Sequence, residues 1–150
     1  MDALAYPETR YAPPAIAHLA SKAERERLSP SAVKAFFNIV KHWRLRDEDA
    51  RELLGGESNG PYYNLKRAAK GSRMPARTLD ADTLLRISYL IGIFKALNVL
   101  HGRALADDWI ALPNTNPIFR GTTPVEYMVK GGIPAMQIVR RLLDSRRAGT

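Results

Sequence analysis

Apolar residues recur along most of this chain at three- and four-residue spacing, the signature of amphipathic helices rather than strands. The first strong run opens at Leu28-Ser29-Pro30, where Ser29 reads as an N-cap and Pro30 as the first helical residue. Val33, Phe36, Phe37, Val40 and Trp43 then share a face, and the helix is expected to end near Trp43. Asp47-Glu48-Asp49 sets carboxylates in the first turn of a second helix, where the macrodipole favours them. Ala50, Leu53 and Leu54 follow, and Gly55-Gly56 stops it. A third helix is expected from Asn59-Gly60-Pro61, carrying Tyr62, Tyr63, Leu65, Ala68 and Ala69 and closing at Lys70-Gly71.

Met74-Pro75 marks a break, after which Asp80 or Asp82 caps a long helix. That helix is apolar nearly all round at Leu84-Leu85, Tyr89-Leu90-Ile91 and Ile93-Phe94, as in a core helix or a dimer seam. A short helix from Ala104 to Leu112 carries Trp109. From Pro113 to Thr122 the pattern is lost among the turn formers Asn114, Asn116, Pro117 and Gly121. Thr123-Pro124 opens a two-turn helix that ends at Gly131-Gly132. The last helix, about Pro134 to Arg147, turns Met136, Val139, Leu142 and Leu143 inward and Arg140, Arg141, Arg146 and Arg147 outward. The chain shows no strand pattern and no internal repeat, so the expected fold is all-α. Residues 1–27, with Pro7, Pro13 and Pro14, read as a partly flexible arm. Residues 28–79 form a helix-turn-helix region, and 80–150 a long core helix with a small helical C-terminal domain.

Composition narrows the function. At 150 residues and 45% apolar content the chain can bury one ordinary core. It has no cysteine, which removes disulfides, thiolate chemistry and cysteine zinc sites. His18, His42 and His101 lack paired-ligand spacing, so neither a metal nor a cofactor is expected. No nucleophile sits with a base, and Asp107-Asp108 read as dipole partners at a helix start, so the chain is not expected to be an enzyme. No apolar run is expected to cross a bilayer, and the N-terminus lacks a basic stretch leading into an apolar one; a cytoplasmic protein with no membrane partner is expected.

The net charge of +8 favours polyanions, nucleic acid first. It is also unevenly placed. Residues 61–77 hold Lys66, Arg67, Lys70, Arg73 and Arg77 and no acid, whereas 47–52 hold four acids. Short helix, glycine turn and short helix make the helix-turn-helix pattern. Read as a DNA-binding element, the third helix offers Tyr62, Asn64 and Lys66 to base edges and Arg67, Lys70 and Arg73 to phosphates. Read blandly, it is a solvated basic face. Trp43 and Trp109 fit core packing better than ligand contact. Phe119 fits a core plug or a partner contact equally, and Arg120 beside it is a fixed-charge fork suited to carboxylate or phosphate.

One resemblance spans Leu28 to Arg147. Leu28-Ser29, Trp43, Leu53-Leu54-Gly55, Leu84-Leu85-Arg86-Ile87-Ser88 and Ile91-Gly92-Ile93-Phe94-Lys95-Ala96-Leu97 resemble Xre-type bacterial antitoxins. Trp109, Leu112-Pro113-Asn114, Phe119-Arg120-Gly121-Thr122-Thr123-Pro124, Met128, Gly131-Gly132 and Val139-Arg140 look like their C-terminal toxin-binding domain, also called the MbcA/ParS type. Each motif alone is weak; their order makes the match specific. The resemblance implies a type II antitoxin whose C-terminal domain covers the active site of a RES-domain toxin that consumes NAD. It also implies binding to the operator of its own operon, as a homodimer and within a larger hetero-oligomer with the toxin. On that reading the toxin-binding residues are Asn114, Phe119, Arg120, Arg140, Arg141, Arg146 and Arg147. The alternative is a stand-alone helix-turn-helix transcriptional regulator whose C-terminal half only dimerises.

Overall fold

The computed structural model describes residues 19–71 and 77–147, so most of the expected N-terminal arm and the DNA-binding candidate Arg73 lie outside the described residues. Helix α1 covers Lys22–Trp43, α2 Asp47–Leu53, α3 Asn59–Ala69, α4 Ala81–Leu100, α5 Arg103–Trp109 and α6 Pro124–Arg147, with a 3-10 turn at Pro117–Phe119. There is no strand among the described residues, and the fold is all-α.

The first helix starts earlier than its sequence suggests. Ser21 is the cap, its hydroxyl accepting from the Glu24 amide at 3.3 Å. Pro30 therefore lies inside the helix, where it supplies no N–H to the turn before it. Ser29 is a buried bridge rather than a cap: its Oγ donates to the Arg25 carbonyl at 2.6 Å and accepts the Leu79 amide at 2.9 Å. The connection into α4 is thereby pinned to the middle of α1. At its other end α1 stops because Arg44 turns left-handed (φ 53°), returning amides of Arg44 and Leu45 to the carbonyls of Lys41 and Val40.

Asp80 caps α4 by accepting the Thr83 amide at 2.8 Å. This hydrogen bond holds the Asp80 carboxyl below the usual range. Packed chiefly on α6 and α1, α4 buries Leu84, Ile87, Leu90, Ile93, Ala96 and Leu97. The expectation about apolar runs needs correcting here: at 20 residues, with a mean hydropathy of 1.5 over an 18-residue window, α4 is long and apolar enough to cross a bilayer. In this fold it is the central core helix, with neighbours on several sides.

Helix α6 is two helices joined at a bend. Thr123 and Glu126 form a capping box: the Thr123 Oγ1 accepts the Glu126 amide, and the Glu126 carboxylate accepts the Thr123 amide, both at 3.2 Å. At Gly132 the backbone reaches φ 64° and ψ −146°, a region essentially restricted to glycine. Its neighbour Gly131 has no room for a side chain, since a Cβ there would come within 2.6 Å of the Ala135 Cβ. Beyond the bend, Ala135, Met136, Val139 and Leu143 close the core. Arg86 of α4, paired with Asp82 at 2.8 Å, lies beside this bend and also beside Gly55 after α2. It therefore packs the start of the C-terminal helix against the end of the short second helix.

Candidate functional site

Helical phase decides what α3 shows to solvent. Tyr62 and Leu65 are buried, so Tyr63, Asn64, Arg67 and Lys70 form the exposed stripe of the helix and the residue that closes it. Tyr62 corrects the sequence reading: it has no exposed surface and cannot reach a base edge. Its phenol donates instead to Asp47 Oδ1 at 2.9 Å, and its ring packs between Phe37 and Tyr63. Burial, followed by that carboxylate, pushes the Tyr62 phenol well above its ordinary value.

Asp47 is the hub of this region. Its two oxygens accept Tyr62, Tyr63 at 3.0 Å and Lys66 Nζ at 3.1 Å, joining the start of α2 to α3. The Tyr62 and Lys66 donors hold the Asp47 carboxyl below the usual carboxylate range, against some desolvation. Lys66 is thus another revision. It is half-buried, tied to Asp47 and 5.7 Å from the Tyr63 ring centroid, rather than projecting from the helix. Asn64 and Arg67 are exposed and hydrogen-bonded to each other, the amide oxygen accepting from the guanidinium.

Between α1 and α3 lies an open cleft of about 660 Å³. Phe37, Val40, Leu45 and Ala69 give it an apolar floor; Lys34, Lys41, Arg44, Lys66 and Lys70 ring it, with Asp47 as the one carboxylate in its lining among the described residues. Arg44 also pairs with Asp108. Lys34 and Lys41 were not singled out from sequence, although a signal was there. With Asn38 they fall at i, i+4 and i+7, opposite the apolar Val33-Phe36-Val40 face, and the segment from Leu28 to Trp43 holds no acid at all.

The C-terminal candidates divide more sharply. Phe119 is 1% exposed and packs edge-on against Trp109 and Tyr127, at centroid distances of 6.1 and 5.3 Å. It is a core plug and not a surface contact. Arg140 is also inside, 6% exposed and paired with Asp144 at 2.8 Å, because its position follows Val139 on the edge of the buried face. Arg120, Arg141 and Arg146 are exposed, Arg147 is half-buried, and Asn114 is half-buried with its side chain accepting the Asn116 amide at 2.9 Å. Arg120 is held left-handed at φ 50° by the 3-10 turn, its amide returning to the Pro117 carbonyl.

Asp107 and Asp108 do not begin a helix. Since α5 starts at Arg103 they fall in its last turn, where the dipole disfavours them, and side chains from the end of α1 and its cap partner them. His42 meets Asp107 at 3.1 Å and Arg44 meets Asp108, docking α5 onto the end of α1.

No family model matches the chain, and no solved structure does so. One curated relative, an uncharacterized protein named y4oB from Sinorhizobium fredii (strain NBRC 101917 / NGR234), is 36% identical over 121 residues. The alignment covers 80% of this chain and 87% of that protein. At that identity and coverage the chain belongs to the same family as y4oB.

Proposed function

We propose that this protein is the antitoxin of a type II toxin–antitoxin pair, a non-enzymatic DNA-binding repressor that also neutralises a RES-domain toxin. The observation that carries the DNA-binding half is the outer stripe of α3. Tyr63, Asn64, Arg67 and Lys70 project together from α3, which the sequence reading takes as the second helix of a helix-turn-helix, on a segment without acids. Asn64 and Arg67 suit base edges in the major groove, where amide and guanidinium groups make paired hydrogen bonds to adenine and guanine. Lys70, at the helix end, suits a phosphate.

The toxin-binding half rests on the resemblance of residues 109–140 to the toxin-binding domain of Xre-type antitoxins. Exposure supports Arg120, Arg141 and Arg146 as its contacts and withdraws Phe119 and Arg140. Inhibition is steric in this reading, with the C-terminal domain covering the cleft through which NAD enters.

The test is co-expression with a RES-domain toxin encoded beside this gene. Deleting residues 113–150 would be uninformative, because Phe119, Met128, Met136, Val139 and Leu143 belong to the core. Arg120→Glu combined with Arg141→Glu touches only exposed residues. This variant is expected to stay folded by circular dichroism, to lose co-purification with the toxin and to leave growth arrested. A folded variant that still captures and silences the toxin would remove these residues from the interface. A wild-type chain that neither captures nor silences it would overturn the antitoxin reading.

A further inference from the structure

The α3 stripe accounts for base contact and uses only Lys70 of the cleft beside it. Its walls are chemically one-sided. From Leu28 to Trp43 α1 carries no acid, and neither does the chain from Ser58 to Gly71. Asp47, the one carboxylate in the lining among the described residues, is paired with Lys66 at 3.1 Å and also accepts Tyr62 and Tyr63, so its charge is offset by the lysine beside it. Lys34, Asn38 and Lys41 are exposed along one line of α1, and Lys70 faces them from the end of α3.

We infer that this cleft holds the phosphate backbone of a nucleic-acid strand, with Lys34, Lys41 and Lys70 as its cation contacts and Asn38 as a neutral donor between them. The inference rests on the DNA-binding reading and deepens it: α3 reads, and α1 grips. The shape of the row favours a polymer over a single phosphate. Lys34 and Lys41 are seven residues apart on a helix, about 10 Å along its axis. That is roughly the axial rise of three nucleotides on one strand. The apolar floor of Phe37, Val40 and Leu45 suits the sugar faces between phosphates and offers no base-specific donor or acceptor. The α1 contacts therefore hold any sequence alike.

Fluorescence anisotropy of the full chain separates the two roles. The probes are a duplex from the region upstream of its own gene and an unrelated duplex, each titrated over a range of salt. Lys34→Ala with Lys41→Ala is expected to weaken both duplexes alike and to flatten the plot of log affinity against log salt by about 2, one unit for each lost phosphate contact. Preference for the upstream duplex should survive. Lys22→Ala with Lys130→Ala, both exposed and outside the cleft, should leave slope and affinity near wild type. An unchanged slope in the Lys34/Lys41 variant, with wild-type binding intact, overturns the cleft assignment alone. A wild-type chain that binds neither duplex overturns the DNA-binding reading and the cleft with it.

Discussion

Helix α3 and the 113–123 turn are built on the same plan, an inward aromatic with a cation beside it, yet they expose their cations differently. In α3 the anchor is Tyr62, and regular helical phase sends Tyr63, Asn64 and Arg67 outward as a set. In the turn the anchor is Phe119, and a single left-handed residue throws Arg120 outward on its own. The surroundings differ as well. Beside α3 the cations converge on a concave wall. Along α6 they disperse, with Arg140 drawn inside, Arg141 and Arg146 exposed and Arg147 intermediate. A concave array of like charge suits an extended polyanion, whereas single exposed cations suit pairwise contacts with a folded partner. On the function proposed above, the two halves would meet different partners by geometry more than by composition.

The comparison can be broken most forcefully at its aromatic anchors. Phe119→Ala removes a fully packed ring from between Trp109 and Tyr127, and a loss of about 3–5 kcal/mol is expected in urea denaturation. If the two halves fold as one unit around α4, this change lowers the midpoint seen by every probe; a separate early transition would show them to be independent.

Next in size is the bend that sets the direction of the last helix. Gly132→Ala has space, since the nearest atoms to a new Cβ are the Arg86 guanidinium nitrogens at 3.8 Å. The backbone is the obstacle: its φ of 64° with ψ −146° is a costly conformation for any L side chain. A destabilisation of about 1–3 kcal/mol is expected, measured by thermal or urea unfolding. A neutral effect would mean that α6 can straighten without cost.

The smallest expected effect is a pH dependence confined to the α2–α3 hub. The folded Asp47 carboxyl is depressed, first by the Tyr62 hydroxyl and then by Lys66. A group depressed on folding contributes stability above its unfolded value, about 3.9, and loses it as pH falls through the lower folded value. Stability should therefore drop on acidification below about pH 5, and Asp47→Asn should flatten part of that drop while weakening the fold at neutral pH. Unfolding midpoints of both proteins across pH 3 to 7 check this. Identical acid limbs would remove Asp47 as the hub.

Much of the fold was legible because local signals agreed with one another. Gly55-Gly56 and Gly131-Gly132 ended their helices where expected, Asp80 capped α4, and Thr123-Pro124 opened the next helix. The start of α1 was not legible, because Ser29-Pro30 is a good helix opening by itself. Only the distant Leu79 amide, fifty residues away, makes Ser29 more useful inside the helix than at its end. The candidate sites divide along the same line. That residues 61–71 carry a basic helical face follows from residue types and spacing. Which tyrosine of the adjacent pair faces out depends on where α1 and Asp47 lie, and Tyr62 rather than Tyr63 meets both Phe37 and the core.

The sequence alone therefore determined the all-α character, the order of the helices and the concentration of positive charge beside the turn. Those properties are written in periodicity, caps and residue charge, which act within a few residues. The assembly of one cleft from α1 and α3, the burial of Phe119 and Arg140, and the pairing of Asp47 with Tyr62 and Lys66 were decided by tertiary structure. They depend on packing between segments far apart in the chain, where exclusion of water and the pairing of buried polar groups choose among side chains that local pattern leaves equivalent.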